Sequence, residues 1–222
     1  MDKPCQTELA RLYDRRFART REYRRCVWRV LMRQFFQKLV PVTGSVLDLG
    51  CGYGEFINAV RANKKFAIDL NPNSSAQLSP EVTFYDQDSS QTWPLPDSCL
   101  DVVFTSNFFE HLPDKNTLSR TLQQACRCLK IGGRLIALGP NIRLTSGHYW
   151  DYWDHYLPLT EASLCEGLSI HGFRIERCLA HFLPYTMVRQ RQYPLWLIGL
   201  YLRLPLLWPL LGKQFLVVAI KS

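Results

Sequence analysis

Residues 43 to 140 show an alternation of short apolar runs and amphipathic stretches. Apolar runs of about five residues, each closed by a turn, indicate strands, and apolar positions three to four residues apart indicate helices. The pattern predicts strands at 45–49, 65–69, 82–85, 100–105 and 134–138, and helices at 55–62 and 116–129. Strands and helices that alternate in this way form a parallel sheet with helices on both faces.

The remainder of the chain extends this pattern. An aromatic loop, residues 147–156, is followed by a helix at 160–171, with Thr160 as its N-cap and Glu161 in its first turn. Apolar runs at 173–179 and 214–220 predict a sixth and a seventh strand. The fold class expected is α/β, with a Rossmann-like, seven-stranded, mostly parallel sheet whose last strand is antiparallel.

The N-terminal segment, residues 1–42, is predicted to be a basic helical arm, separate from a domain at 43–222. Residues 1–40 hold 11 Lys/Arg against 4 Asp/Glu, whereas the other 182 residues hold 16 against 15. A basic arm approaches nucleic acid or anionic lipid, or it is simply a solvated helix face, and the sequence leaves these alternatives open.

An apolar insertion at about 181–213 precedes the last strand and approaches the length of a membrane span. Its apolar stretch at 193–211 is interrupted by Arg203, Pro194, Pro205 and Pro209, and a span would separate the seventh strand from its sheet. A transmembrane helix is therefore not expected. The insertion should cover the entrance to the substrate site. It could act as a hydrophobic lid, as a dimer interface or as a contact with a bilayer interface. Residues typical of a bilayer interface are Tyr193, Trp196, Tyr201 and Trp208.

Composition excludes a disordered chain, because 47% of the 222 residues are apolar. The eight cysteines lack the spacing of a metal site or a disulfide scaffold, so we expect reduced thiols. The N-terminus is polar and resembles no secretory signal. A cytoplasmic protein is expected, with a peripheral position at the membrane as an open alternative.

The most specific motif is Val46-Leu-Asp-Leu-Gly-Cys-Gly-Tyr-Gly54, in which a strand leads into three glycines. Such glycines let the backbone approach a ligand at the edge of an open sheet. Glu55 stands where a dinucleotide fingerprint has its third glycine. The motif instead resembles the first motif of class I S-adenosylmethionine-dependent methyltransferases, in which an acidic residue, here Asp48, precedes the glycines.

Three further segments, in the expected order, carry the resemblance: Asp69 after the second strand, residues 93–112 ending in Glu-His-Leu, and the glycine turn at 132–133. The resemblance implies S-adenosylmethionine as cofactor and Asp69 as the ligand of its ribose. It implies Asp88 as the ligand of the adenine amino group, with Asp86 as the competing choice. The cofactor-binding residues implied are Asp48, Gly50, Gly52, Gly54, Asp69, Asp88 and Asn107.

The candidate catalytic residues are His111, Asp154 and His155. The resemblance places Glu110 and His111 at the rim of the active site, although His111 could equally pack against the next helix. In the aromatic loop, Asp151 or Asp154 and His155 could form an oriented carboxylate–histidine pair. Tyr149, Trp150, Tyr152 and Trp153 could line a pocket or form a packed lid without proton chemistry. No metal site is predicted.

The function expected is methyl transfer, with O-methylation of a small-molecule, lipid-linked or glycan acceptor. A nucleic-acid methyltransferase, above all one acting on RNA, is a rival because of the basic arm. Ser106-Asn-Phe-Phe109 lacks the Asn/Asp-Pro-Pro-aromatic tetrad of enzymes that methylate base amino groups. A non-catalytic S-adenosylmethionine-binding protein is the second rival. Oligomeric state is left open.

Overall fold

The computed structural model describes residues 20–185 and 192–222. Its centre is one seven-stranded sheet with the strand order β3-β2-β1-β4-β5-β7-β6. Strands β1 to β5 are parallel, and β7 is antiparallel to both β5 and β6. This arrangement confirms the predicted fold class. The strands are β1 (Ser45–Leu49), β2 (Lys64–Asp69), β3 (Val82–Asp86), β4 (Leu100–Ser106), β5 (Leu129–Pro140), β6 (Phe173–Leu179) and β7 (Gln214–Lys221).

Helices cover both faces of the sheet, as the alternation of elements predicts. The α-helices are α1 (Arg21–Gln34), α2 (Glu55–Ala59), α3 (Lys115–Cys128), α4 (Ile142–Thr145), α5 (Glu161–Ile170), α6 (Leu195–Arg203) and α7 (Trp208–Leu211). Short 3-10 helices lie at Phe36–Leu39, Pro72–Gln77, Phe109–His111, Ser146–Asp151 and Pro205–Leu207. Thr160 caps α5 by accepting the backbone N–H of Ser163, as predicted.

Two apolar cores, one on each face of the sheet, follow from the two-residue period of the strands. In β4, Val102 belongs to the core under α1, α2 and α6, whereas the neighbouring Val103 belongs to the core under α3 and α5. Val46 and Leu47 divide in the same way in β1. The central strands are therefore apolar at nearly every position, which explains why the sequence shows them as continuous runs.

Within the domain predicted at 43–222, the bounds of two elements differ by more than one residue from those predicted. Helix α2 ends at Ala59, because Val60 is extended and buried in the core. Strand β5 begins at Leu129, five residues before the predicted start. Leu129 pairs with Leu100, and pairing resumes at Arg134 after a bulge that contains the glycine turn.

Helix α1 packs on the sheet through Leu31, Met32 and the following Phe36, which are buried in the same core as Val46. The ring of Trp28 lies against Phe104 at a centroid distance of 5.8 Å. The part of the arm from residue 20 to 42 is therefore packed, while the division of the chain into domains at residue 42 stays a prediction. The predicted helix before residue 20 and its arginines lie outside the described residues.

The apolar insertion leaves the sheet and returns to it at one place. The Lys213 N–H donates to the Leu183 carbonyl at 2.8 Å, and the next residue, Gln214, pairs with Pro140 at the carboxyl end of β5. Arg189 and Arg191 lie outside the described residues. Within the described ranges, no helix is both long enough and apolar enough to cross a membrane.

Two of the four aromatic residues expected at a bilayer interface are instead partly buried and packed against the core. Trp208 donates its indole N–H to the Tyr201 carbonyl at 3.1 Å and lies against Phe182. The Tyr201 hydroxyl donates to the Phe182 carbonyl at 2.5 Å. Tyr193 and Trp196 are exposed. Sequence periodicity missed this division because prolines break the segment into short helices with different faces.

Candidate active site

The glycine motif forms a tight loop between β1 and α2, at the carboxyl edge of the sheet. Gly50, Gly52 and Gly54 have φ angles of 70°, 52° and 72°, a region that residues with a Cβ seldom adopt. A Cβ on Gly50 would lie 2.3 Å from ring atoms of Phe108, which follows β4. The loop and the end of β4 thus meet where the strand order reverses between β1 and β4, the usual ligand position in open α/β sheets.

Asp69, at the end of β2, holds the glycine loop in place. Its carboxylate accepts the Gly52 N–H at 2.8 Å through Oδ2 and the Asn71 N–H at 2.9 Å through Oδ1. Burial raises the pKa of this carboxyl, while these two hydrogen bonds and the nearby His111 lower it. Asp69 therefore lies beside the loop, with both oxygens at the carboxyl edge where a ribose would bind.

Two further carboxyl groups make the loop region acidic. Asp48 is buried in β1, and its pKa is raised well above the usual range, first by burial and then by the charges of Glu55 and Asp69. Glu55 is paired with Arg24 of helix α1 at 2.8 Å. Burial of a carboxylate close to other carboxylates disfavours its charged form. A cationic ligand beside it offsets this unfavourable free energy. S-adenosylmethionine, with its sulfonium and ammonium groups, fits this requirement.

Asn107 follows β4 in the left-handed region, with φ 50°. Its amide Nδ2–H donates to Ser106 Oγ at 3.0 Å, whereas Oδ1 is buried without a hydrogen-bond partner among the described residues. A buried polar atom without a partner costs free energy unless a ligand satisfies it. This atom and the glycine loop, which leaves no room for a Cβ at Gly50, together match a bound cofactor that carries hydroxyl and amino groups.

The two competing aspartates after β3 differ in their surroundings. Asp88 Oδ1 accepts the Ser90 N–H at 2.9 Å and the Ser90 hydroxyl at 2.8 Å. Asp86 is the last residue of β3 and is exposed. The assignment of Asp88 to the adenine amino group stays a prediction, favoured by its more enclosed position.

His111 ends the short 3-10 helix that follows β4, and Asp154 positions it. Its Nδ1 is 2.8 Å from the Asp154 carbonyl oxygen and 3.3 Å from Asp154 Oδ2. Since a carbonyl oxygen only accepts hydrogen bonds, Nδ1 carries the proton in the neutral ring, and Nε2 has the lone pair. This tautomer suits a general base.

Glu110 and His155 complete an acid–histidine cluster with His111 and Asp154. One polar side-chain atom from each of Glu110, His111 and His155 lies within 4.8 Å of the others. Burial raises the pKa of Glu110 to about 7. The His155 ring is stacked on Tyr152 at 4.8 Å and lies 5.0 Å from the His111 ring.

The structure brings the three predicted catalytic residues together and adds a contact that was not expected. In this contact Asp154 pairs with His111, which lies 43 positions away in the sequence. Asp151, the alternative partner, lies on the surface 3.0 Å from His148. Glu110, which the resemblance placed beside His111 at the rim of the site, belongs to this cluster as well. Arg24 was missed because nothing in the sequence links it to Glu55.

Of the four aromatic residues proposed to line a pocket, Tyr149 is fully buried, and its hydroxyl donates to the Leu157 carbonyl at 2.7 Å. Tyr152 packs on His155, as described above. Trp150 and Trp153 are exposed. Tyr149 thus packs against His155 of the cluster, and the two tryptophans are exposed on the loop.

Comparison with known proteins identifies the family. Residues 20–177 match the family model described as a methyltransferase domain. A Mycobacterium tuberculosis protein described as a "probable S-adenosylmethionine-dependent methyltransferase" is 31% identical over 113 residues, 48% of this chain and 40% of that protein. The 27-O-demethylrifamycin SV methyltransferase of Amycolatopsis mediterranei is 31% identical over 106 residues, 42% of this chain and 37% of that protein. The chain thus spans about two fifths of these curated relatives.

A solved structure shares the fold over nearly the whole chain. The S-adenosylmethionine-dependent methyltransferase of Archaeoglobus fulgidus superposes with a TM-score of 0.67 over 92% of this chain and 99% of that one, at 21% identity. At this identity the likeness concerns the fold. The family model covers well over half of the chain. The chain therefore belongs to the methyltransferase-domain family, as a class I S-adenosylmethionine-dependent methyltransferase with S-adenosylmethionine as its cofactor.

Proposed function

We propose that the protein methylates a hydroxyl oxygen of a small-molecule or lipid-linked acceptor. The observation that carries this proposal is the state of His111, whose Nδ1–H is engaged by Asp154 while Nε2 is left to accept a proton. A hydroxyl group must lose its proton on methylation, and a positioned histidine is the usual acceptor. A neutral amine has its own lone pair and needs such a base far less.

Bound S-adenosylmethionine supplies the activated methyl group. Asp69, the glycine loop and Asn107 would bind and orient the cofactor. His111 Nε2 would accept the hydroxyl proton of the acceptor, and Asp154 would hold the ring in the required tautomer. Exclusion of water by the surrounding apolar residues would keep the reacting groups aligned, which provides much of the acceleration in a displacement of this type.

The exposure of the cluster members favours His111 as the one that touches the acceptor. The His111 side chain is 29% exposed, whereas that of Asp154 is 9% exposed. His155 is buried among Tyr149, Tyr152 and His111. We therefore assign His111 as the base, Asp154 as its positioning residue and His155 as a packing partner. The relative from Amycolatopsis is itself named for methylation at an oxygen.

The rival proposal, methylation of RNA, draws its support from the basic N-terminal segment. In the described part of that segment, Arg24 is paired with Glu55, and the Arg21 guanidinium lies 4.2 Å from the centre of the Tyr53 ring. These two arginines thus serve internal contacts near the cofactor loop. That use weakens the case for a nucleic-acid surface at this end of α1.

Labelled-methyl transfer into a fractionated cell extract tests the proposed reaction. We expect label in the lipid or small-molecule fraction, in a bond that resists base and releases no methanol, because a methyl ether is not hydrolysed as an ester is. Label in RNA, or label lost as methanol on base treatment, would contradict the proposal. A Gly50→Ala variant, expected to bind the cofactor poorly, serves as the background control.

Asp69→Ala should weaken S-adenosylmethionine binding at least about tenfold, because a charge-assisted hydrogen bond contributes about 1.5–3 kcal/mol. Isothermal calorimetry measures the affinity, and thermal unfolding checks the fold. Asp69→Asn, which keeps one acceptor oxygen, should lose less. The control is Glu81→Ala, which removes an exposed carboxylate just before β3 that pairs with Lys65 near the start of β2. Unchanged affinity in Asp69→Ala would remove Asp69 from the site.

A further inference from the structure

The insertion between β6 and β7 carries a large exposed apolar surface. The most exposed members are Leu206, Leu210 and Trp196, at 89%, 77% and 68%. A folded protein rarely exposes a contiguous set of this kind unless something binds there. We call this set the C-terminal apolar surface; it comprises Leu195, Trp196, Leu197, Leu200, Leu204, Leu206, Leu210 and Leu211.

The surface belongs to a docked segment with a well-packed inner side. Gly199 of α6 approaches α1 so closely that a Cβ there would lie 2.6 Å from Gln34 Nε2. Leu202 is buried in the core. The Tyr23 hydroxyl donates to the Tyr193 carbonyl at 2.9 Å and accepts the Tyr193 N–H at 2.8 Å. The leucines and Trp196 therefore face outward because the other side of the segment is already packed.

The chain segment that carries this surface has basic residues and no acidic ones. From Arg177 to the last residue, Ser222, the sequence contains six Lys/Arg and no Asp or Glu. Arg203, in the last turn of α6, and Lys213 are exposed. On the neighbouring helix α1, Arg29 and Arg33 are exposed as well. The surface is thus apolar, and four of the exposed charged residues on its segment and on α1 are basic, with Glu22 in the first turn of α1 as an exposed acidic residue.

We propose that the C-terminal apolar surface docks onto the face of an anionic lipid bilayer. Tryptophan and leucine with arginine at the border are typical of segments that lie in the interface, where basic groups meet lipid phosphates. A second copy of the chain would instead bring two basic segments together. Helix α6 has nine residues, which extend about 13 Å, so it lies on a hydrocarbon core of about 30 Å and does not cross it.

Docking would place the candidate active site close to the membrane. The insertion leaves and re-enters the sheet beside Pro140, at the carboxyl edge that also carries Asn107 and the acid–histidine cluster. A protein held by this segment would keep that edge near the headgroups, where a lipid-linked acceptor resides. This consequence rests on the proposed function, whereas the docking itself does not.

Sedimentation with lipid vesicles tests the docking. With vesicles of phosphatidylglycerol and phosphatidylcholine, we expect the protein in the pellet, with a fraction that falls as salt rises, because salt screens the arginines. With phosphatidylcholine alone, binding should be weaker. The triple variant Trp196→Ser/Leu206→Ser/Leu210→Ser should partition at least about tenfold less than the natural chain, because the side chains that enter the interface are gone.

The control variant Ile131→Ser/Ile170→Ser removes side chains that are 74% and 75% exposed, outside the insertion. It should bind vesicles like the natural chain. Thermal unfolding and S-adenosylmethionine binding should be unchanged in both variants, so a loss of docking is distinguished from a loss of fold or of the cofactor site. Two results would overturn the proposal: a natural chain that stays in the supernatant with anionic vesicles, or a triple variant that binds as well as the natural chain. A dimer abolished by the triple variant, without vesicle binding, would identify a second copy as the occupant.

Discussion

His111→Ala should lower the turnover of methyl transfer by about 10²–10⁴-fold while S-adenosylmethionine affinity stays within a few-fold of the natural value. The reason is that Asp154 engages the Nδ1–H of His111, so Nε2 keeps the lone pair that can accept a proton. The measurement is single-turnover transfer of labelled methyl to the acceptor fraction found in extract. Added imidazole should restore part of the rate to His111→Ala, since a small base can enter the space that the ring vacates.

Variants of the neighbouring residues test this assignment. His148→Ala alters an exposed histidine paired with Asp151 and should leave turnover unchanged. Asp154→Asn keeps the main-chain carbonyl that accepts from Nδ1, so its loss should be smaller than that of His111→Ala. If His155→Ala lost as much turnover as His111→Ala with an intact fold, and His111→Ala were not rescued by imidazole, the base would be His155.

Gly50→Ala should abolish measurable cofactor binding at concentrations that saturate the natural chain. A Cβ at this position meets ring atoms of Phe108 at 2.3 Å, and φ is 70°. The clash must be relieved by moving the loop that carries Gly52 or the segment that carries Asn107, and both would contact the cofactor. Calorimetry measures the binding, and thermal unfolding measures the accompanying loss of stability, for which a strained backbone alone contributes about 1–3 kcal/mol.

Two further variants separate the two causes. Gly132→Ala places a side chain at φ 77° with nothing within 4 Å, so it reports backbone strain without a clash and should bind the cofactor normally. Gly50→Ala/Phe108→Ala removes the ring that the new Cβ meets, and it should recover part of the binding. Normal cofactor affinity in Gly50→Ala would show that the loop does not approach the ligand closely.

The arrangement of the glycine loop and its carboxylates in the candidate site could be predicted from the sequence because its parts are local. Asp48 and the glycines lie within seven consecutive residues, and Asp69 ends the strand that pairs with β1. The position of a residue after a strand determines its place at the carboxyl edge, since parallel strands bring their ends together. The structure adds the hydrogen bond from Gly52 to Asp69 and the contact of Gly50 with Phe108.

The acid–histidine cluster could be predicted only in part. His111 and Asp154 are far apart in the sequence, and their contact depends on how the loop after β5 folds back, where the Tyr156 and Leu157 N–H groups donate to the Glu110 carbonyl. No sequence periodicity encodes that path. The sequence named the members His111, Asp154 and His155 but not the pair of His111 with Asp154.

By itself, the sequence determined the order and type of the strands, the glycine loop with its carboxylates, and the presence of an apolar insertion with basic residues. Those features depend on hydrophobic period and on short motifs, which are local properties of a chain. Only the tertiary structure decided which side of the insertion is packed. Trp208 is enclosed by Phe35 and Phe182, while Trp196 remains in solvent, because the position of each short helix against α1 selects the buried face. Burial is a property of the assembled layers, and identical residue types in one segment therefore take opposite roles.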